Sequence, residues 1–264
     1  MNKLFCGVIV SAGILYAASA PYAGWQHSGS MYLLTTTDGA NLPVTASEEH
    51  FPVLVRLNKD WFDFSQAKAK GEDIRFSFRD KALAYQVEEW DAAEGTASIW
   101  VRIPEIKGNA RQELKMYWGK PDAASESKGS AVFHAANGYV SVLHLAEVLK
   151  DELGTIMPAN VGTTVGAGMI GKGRQFVKGT GVNCGDHITN YPFSDAPFSS
   201  EAWFRADNAG AAIFGWGRYA TRFNGKTSDG NEVVINFGSP PSLSWWSDGP
   251  GGVGAAVKPV TGRW

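Results

Sequence analysis

The stretches "FPVLVRL" (51–57) and "ASIWVRIP" (97–104) decide the fold. In the first, Phe51, Val53, Val55 and Leu57 fall on one face, with Leu54 and Arg56 on the other. In the second, Ile99, Val101 and Ile103 oppose Trp100 and Arg102. Apolar residues at a period of two mark half-buried strands, because successive side chains of an extended chain point to opposite faces. Working outward, the alternation returns in "DIRFSF" (73–78) through Ile74, Phe76 and Phe78. It returns again in "LAYQVEEW" (83–90), with Leu83, Tyr85, Val87 and Glu89 on one side. "SMYLLTTT" (30–37) and "ELKMYWG" (113–119) flank the set. Such runs with turn residues between them predict an antiparallel sandwich over residues 24–122 that folds on its own. The exception is "FDFSQAKAKGED" (62–73), where Ser65 is expected to cap a short helical piece ended by Gly71.

Residues 123–132 are small, polar and charged, and read as a linker. A second strand-rich region, 133–264, follows. Its expected strands are "GYVSVLHL" (138–145), pieces of the Gly-rich "GTTVGAGMIGKGRQFVKGTGV" (162–182), "FSSEAWFRA" (198–206), "AAIFGWG" (211–217), "EVVINFG" (232–238) and "SLSWWSD" (242–248). The fold class read from these runs is all-β, with two antiparallel sandwich domains. The 31 Gly and 12 Pro suit many short strands joined by turns.

At the N-terminus, Lys3 precedes an apolar run from Leu4 to Ala18, and small residues follow at Ala18, Ala20 and Ala23. This is the outline of a secretory signal peptide over residues 1–23, and the run is shorter than the ~20 residues a membrane span needs. The expected location is extracytoplasmic, periplasmic or secreted. Cys6 would leave with the signal, so Cys184 would remain as a single thiol with no internal partner. The net charge is −2 and no polybasic tract is present, which argues against a nucleic-acid partner.

Two resemblances follow from these runs. With "FPVLVRL", "DFSQAKAKGEDIRF", "LAYQVEEWD", "ASIWVRIP" and "LKMYWGK", residues 51–119 resemble an uncharacterised extracytoplasmic β-domain catalogued as a domain of unknown function. From about residue 133, "SVLHLAE", "GTTVGAGMIGKGRQF" and "FSSEAWFRADNAGAAIFGWG" resemble the concanavalin A-like fold of the laminin-G type. That pairing implies a domain found N-terminal to MotA/TolQ/ExbB-type proton channels. "GRW" (262–264) begins a mid-domain strand in the lectin-like family, so the resemblance implies a jelly roll cut short at Trp264. It also places Trp203 inside the sandwich, although Glu201 and Arg205 share its face by alternation.

The chemistry candidates are sparse. Concanavalin A-like glycosidases carry two acids on one strand. Glu201 lacks a companion, while Glu89 and Asp91, beside Glu88, share a strand face but read as solvated rim residues. The histidines form no HExxH pattern; Cys184, Asp186 and His187 are too few for a zinc site. Asp186, Asp195 and Asp207 flank loops that the laminin-G resemblance would allow to hold Ca²⁺, although no dense acidic loop is present. No other cofactor or metal is expected. In "SLSWWSDG", Trp245 and Trp246 point to opposite faces, and the outer indole beside Asp248 suits stacking on a sugar ring. The loop 218–232 is polar enough to rim that surface. The expected function is a non-catalytic module binding a glycan or cell-surface ligand. The alternatives are the extracytoplasmic part of an ExbB/TolQ-like transport assembly and a glycoside hydrolase.

Overall fold

The computed structural model describes residues 21–185, 190–192, 196–207, 211–216, 233–237, 243–245, 253–255 and 261–264. Strands are numbered in chain order. One antiparallel sheet joins β1 (His27–Leu34), β7 (Arg111–Trp118), β3 (Arg75–Phe78) and β4 (Lys81–Ala82), in that spatial order. A second joins β2 (Ser47–Asn58), β6 (Thr96–Lys107) and β5 (Tyr85–Asp91). Val55, Leu57, Ile99, Val101 and Ile103 from the second sheet and Phe76, Phe78, Leu114 and Met116 from the first belong to one buried cluster. The alternation therefore chose the core face correctly, with Val53 opposite Val101 and Val55 opposite Ile99. Phe51 lies beyond the core at the far end of that face and is exposed.

Local chemistry alters two expectations. Asp63, not Ser65, caps the short 3₁₀ turn Phe64–Gln66, accepting the Ser65 N–H at 3.0 Å. Gly71 sits at φ +65°, and a Cβ there would lie 2.5 Å from the Trp90 ring. Only glycine meets both demands. A bulge between Val87 and Glu89 on β5 inserts an extra residue opposite β6. It carries Glu89 to the outer face, opposite Ser98, and turns Trp90 onto the core, opposite Ala97, whereas alternation alone would put Glu89 on the core side with Val87.

That outer face is covered. Residues 123–132, which composition reads as a linker, run along the edge of β5. Lys128 N–H donates to the Tyr85 carbonyl at 2.9 Å, and Ser127 Oγ accepts from Val87 N–H at 2.8 Å. The short helix α1 (Gly129–Val132) follows, and Val132, Phe133 and Ile156 are nearly solvent-free. A flanking small residue is needed here too: a Cβ on Gly129 would lie 1.9 Å from Glu152 Oε2.

Farther on, β8 (Ala159–Val161) pairs with β11 (Gly181–Asn183), and β9 (Thr164–Ala167) pairs with β10 (Lys172–Gln175). β12 (Ala211–Trp216), β13 (Val233–Phe237), β14 (Leu243–Trp245) and β15 (Val253–Ala255) form a meander. Every pairing within these sheets is antiparallel, so the all-β antiparallel class holds in both regions. Two expected strands are not strands. "GYVSVLHL" makes a single bridge, Leu143 to Asp151. The Asp151 carboxylate instead takes the N–H groups of Val142, Leu153, Thr155 and Ile156, a side-chain alternative to the ladder. Residues 198–206 are not extended into a sheet, and Trp203 is 60% exposed. The charged neighbours Glu201 and Arg205 predicted that exposure better than the lectin-like resemblance did.

Residues 1–20 of the expected signal lie outside the described residues. Tyr22, at its end, packs on Trp25 at 5.0 Å and on Tyr117 at 5.1 Å between ring centroids. No helix among the described residues is long and apolar enough to cross a membrane.

Candidate functional site

Where β2 ends, Asn58 winds the chain into a tight turn. Its Oδ1 accepts from Asp60 N–H at 2.8 Å, and its carbonyl accepts from Trp61 and Phe62. Lys59 N–H is fastened to the Gly95 carbonyl at 2.8 Å, tying the turn to the β5–β6 hairpin. Phe62 points inward against Phe64, Trp118 and Trp90, with centroids 5.0, 5.2 and 5.9 Å away. With Phe62 and Phe64 spent on the core, Trp61 is turned outward and is 54% exposed. It stands in an open groove of about 550 Å³ between this turn and residues 92–95, with Lys59, Asp60, Asp63 and Ser65 around it. The Asp63 carboxylate accepts from both Ser65 N–H and Ser65 Oγ, at 3.0 and 2.7 Å. Those two bonds hold its carboxyl below the usual range, so it is an ionised acceptor at neutral pH. An exposed indole on a backbone-anchored turn, rimmed by acceptors and one cation, offers an apolar plate with polar grips beside it.

A second polar constellation lies under the covering segment. Glu88 Oε2 accepts from Trp100 Nε1 at 2.5 Å and lies 3.3 Å from His144 Nδ1. His144 Nε2 is 3.0 Å from Gln86 Oε1, and Gln86 Nε2 donates to Glu152 Oε1 at 2.9 Å. Lys150 Nζ closes the row, 2.8 Å from Glu152 Oε2. Phe133 meets the Trp100 and His144 rings edge-on at 5.5 and 5.7 Å. The Glu88 and Glu152 side chains are each only 5% exposed. Burial, reinforced by the charges of Glu89 and Glu152, pushes the Glu88 carboxyl up to about 7, and burial lowers the His144 imidazole. Glu88 does not line the Trp61 groove.

The residues singled out from the sequence fare differently. Glu88, named only as the neighbour of the Glu89–Asp91 pair, has a buried side chain. Asp91 caps its own turn, accepting from Ala93 and Glu94 N–H at 3.1 and 3.0 Å. Glu89 packs against the β9–β10 turn, where a Cβ on Gly171 would approach its carboxylate to 3.0 Å. Glu201 and Asp207 fall outside any strand. The Cys184 thiol is pushed up by burial, away from nucleophilic use. The backbone of Trp245 belongs to β14; its side chain, and Trp246, Asp248, Asp186, His187 and Asp195, lie outside the described residues. Among the described residues, no three His, Cys, Asp or Glu side chains are grouped to hold a metal ion. Sequence reading missed Trp61. The available signal was "NKDWFD" (58–63), a turn-forming Asn and two Asp around a lone Trp directly after a strand.

Comparison with known families gives one match: residues 70–141 match the family model described as "Domain of unknown function (DUF2341)". The match begins before β3, covers β5, β6 and β7, and continues through the edge segment and α1. It therefore bears out the resemblance to a domain of unknown function over residues 70–119 and extends it to residue 141, while residues 51–69 lie outside the match. It carries neither the concanavalin A-like domain nor the MotA/TolQ/ExbB association. No curated protein and no solved structure matches the chain.

Proposed function

We propose that this chain is an exported, non-catalytic binding module that holds a glycan in the Trp61 groove. The observation that carries the reading is the Trp61 indole, 54% exposed on a turn pinned by main-chain hydrogen bonds. A rigid exposed aromatic loses little entropy when a flat sugar face covers it, and Asp60, Asp63 and Ser65 are placed to meet hydroxyl groups. The positively charged and apolar N-terminal run supports export. A hydrolase would need a carboxylic acid kept neutral beside the sugar. Glu88 is held near that state, but its side chain is buried and does not line the groove, whereas Asp63 in the groove is ionised. These placements favour binding over cleavage. Trp245, Trp246 and Asp248 stand as a second proposed stacking surface.

The test is affinity electrophoresis against soluble β-1,3- and β-1,4-glucans and peptidoglycan fragments, followed by titration of whichever is retarded. Replacing Trp61 with Ala removes an aromatic contact worth about 1.5–3 kcal/mol, so affinity is expected to fall about 10- to 100-fold with the thermal transition unchanged. Retention of full affinity by Trp61→Ala would place the site elsewhere, and loss in Trp246→Ala instead would move it to the second region. Retardation by none of these polymers would remove the glycan reading.

A further inference from the structure

We infer that Glu88 and His144 share a single proton, and that this proton pins residues 133–157 to the outer face of the β2-β6-β5 sheet. Hydrogen-bond polarity along one row of side chains fixes where this proton sits, whatever the Trp61 groove binds. At one end of the row, Lys150 Nζ lies 2.8 Å from Glu152 Oε2, a donor facing an acceptor. Glu152 Oε1 takes the N–H of Gln86 Nε2 at 2.9 Å. Gln86 Oε1 is then the acceptor turned toward His144, so His144 Nε2 carries the hydrogen across their 3.0 Å contact. A neutral imidazole protonated at Nε2 has a bare Nδ1. That atom faces Glu88 Oε2 at 3.3 Å, and Oε2 already accepts from Trp100. Without a further proton, two lone pairs would oppose each other in a dry site. One proton on the Glu88 carboxyl completes the row from Lys150 to Trp100.

The surroundings agree with that placement. Glu88 is faced by Glu89 on its own strand, by Arg56 on β2, and by His144, Lys150 and Glu152 on the covering segment; the Asp151 carboxylate there is occupied by four backbone N–H groups. Burial is the largest influence and disfavours charge on both Glu88 and His144; for Glu88 the charges of Glu89 and Glu152 act in the same direction, against the Trp100 hydrogen bond and Arg56, and for His144 Lys150 adds to burial while Glu152 opposes it.

Lifting the segment returns Glu88 to its ordinary 4.5 and His144 to its ordinary 6.5. Taken alone, Glu88 has its folded value raised, so its contribution is present in acid and lost as pH rises from 4.5 to about 7. His144 has its folded value lowered, so its contribution is lost as pH falls below 6.5. Between those limits the closed state holds the proton on Glu88 and the open state holds it on His144. No net proton is taken up, and the two dependences cancel. The pair keeps the cover closed across mild acid, where either group alone would loosen it.

Hydrogen exchange of the 264-residue chain, corrected for intrinsic rates, reads the opening at the Trp100 indole N–H, which donates to Glu88 and is packed against Phe133 and His144 of the segment. In the wild type, opening should change less than about threefold between roughly pH 5 and 6.5. In Glu88→Gln it should rise about tenfold per unit as pH falls, and in His144→Gln about tenfold per unit as pH rises. A steep slope in the wild type, or slopes of the same sign in the two variants, overturns the inference. Infrared spectroscopy tests the wild type without relying on the variants: a protonated carboxyl C=O band is expected at about pH 6 and should vanish above about pH 8. The absence of that band overturns the shared proton.

Discussion

A chain ending at residue 122 should be at least about 4 kcal/mol less stable than one ending at residue 157, from the lost burial of Val132, Phe133 and Ile156 at about 1.5–3 kcal/mol each. Those side chains are 0%, 4% and 5% exposed. Their removal would also uncover Trp100, and it would free the Tyr85 carbonyl and the Val87 N–H on the β5 edge. A bare edge of that kind invites intermolecular pairing. Against a typical total of ~5–15 kcal/mol, the shorter chain should melt broadly or aggregate. The longer one should show a single cooperative transition in urea. Equal midpoints for the two would mean that the segment after residue 122 is only laid on the surface.

The second large effect is expected at Arg75, which is 2% exposed within β3. Its Nη1 donates to the carbonyls of Glu72 and Ile74 and to Tyr85 Oη, at 3.0, 2.8 and 2.9 Å. Its Nη2 donates to the Ala124 carbonyl and to Glu126 Oε1, at 2.6 and 3.0 Å. The guanidinium also lies 5.4 Å from the Trp25 ring centroid. One planar fork thus holds the N-terminal turn, the edge strand and the start of the covering segment together. Arg75→Ala leaves several buried acceptors without donors, and it should cost about 3–5 kcal/mol by urea denaturation. Arg75→Lys should recover little, because an ammonium on a flexible stem cannot reach Tyr85 Oη and the Ala124 carbonyl together. A loss below about 1 kcal/mol in Arg75→Ala would show that these contacts are solvated in solution.

These predictions also mark what could be read from residues alone. Alternation through Val55, Leu57, Ile99, Val101 and Ile103 identified both the strands and their buried face, because period two is a direct consequence of extended backbone. It missed the bulge at Val87–Glu89, which depends on how β5 meets β6 and which moves Glu89 off the core face and Trp90 onto it. It missed the fate of residues 123–132 for a related reason. Their composition is that of a solvated linker, and only the unpaired edge of β5 gives their backbone a use. The meeting of Glu88 with His144 is a tertiary event across distant segments, and no local pattern announces it. Trp61 differs: the turn chemistry around it was legible, but its exposure followed from Phe62 and Phe64 claiming the core.

The most direct test of the account is a titration with the retarded oligosaccharide, followed by ¹H–¹⁵N spectra of the full chain. The account predicts shifts at the Trp61 indole N–H and at the amides of residues 59–65 and 92–95, with the Trp100 indole and the amides around Glu88 unmoved. Shifts centred on Trp100, on Trp203 or on the 243–248 segment, with Trp61 silent, would contradict it.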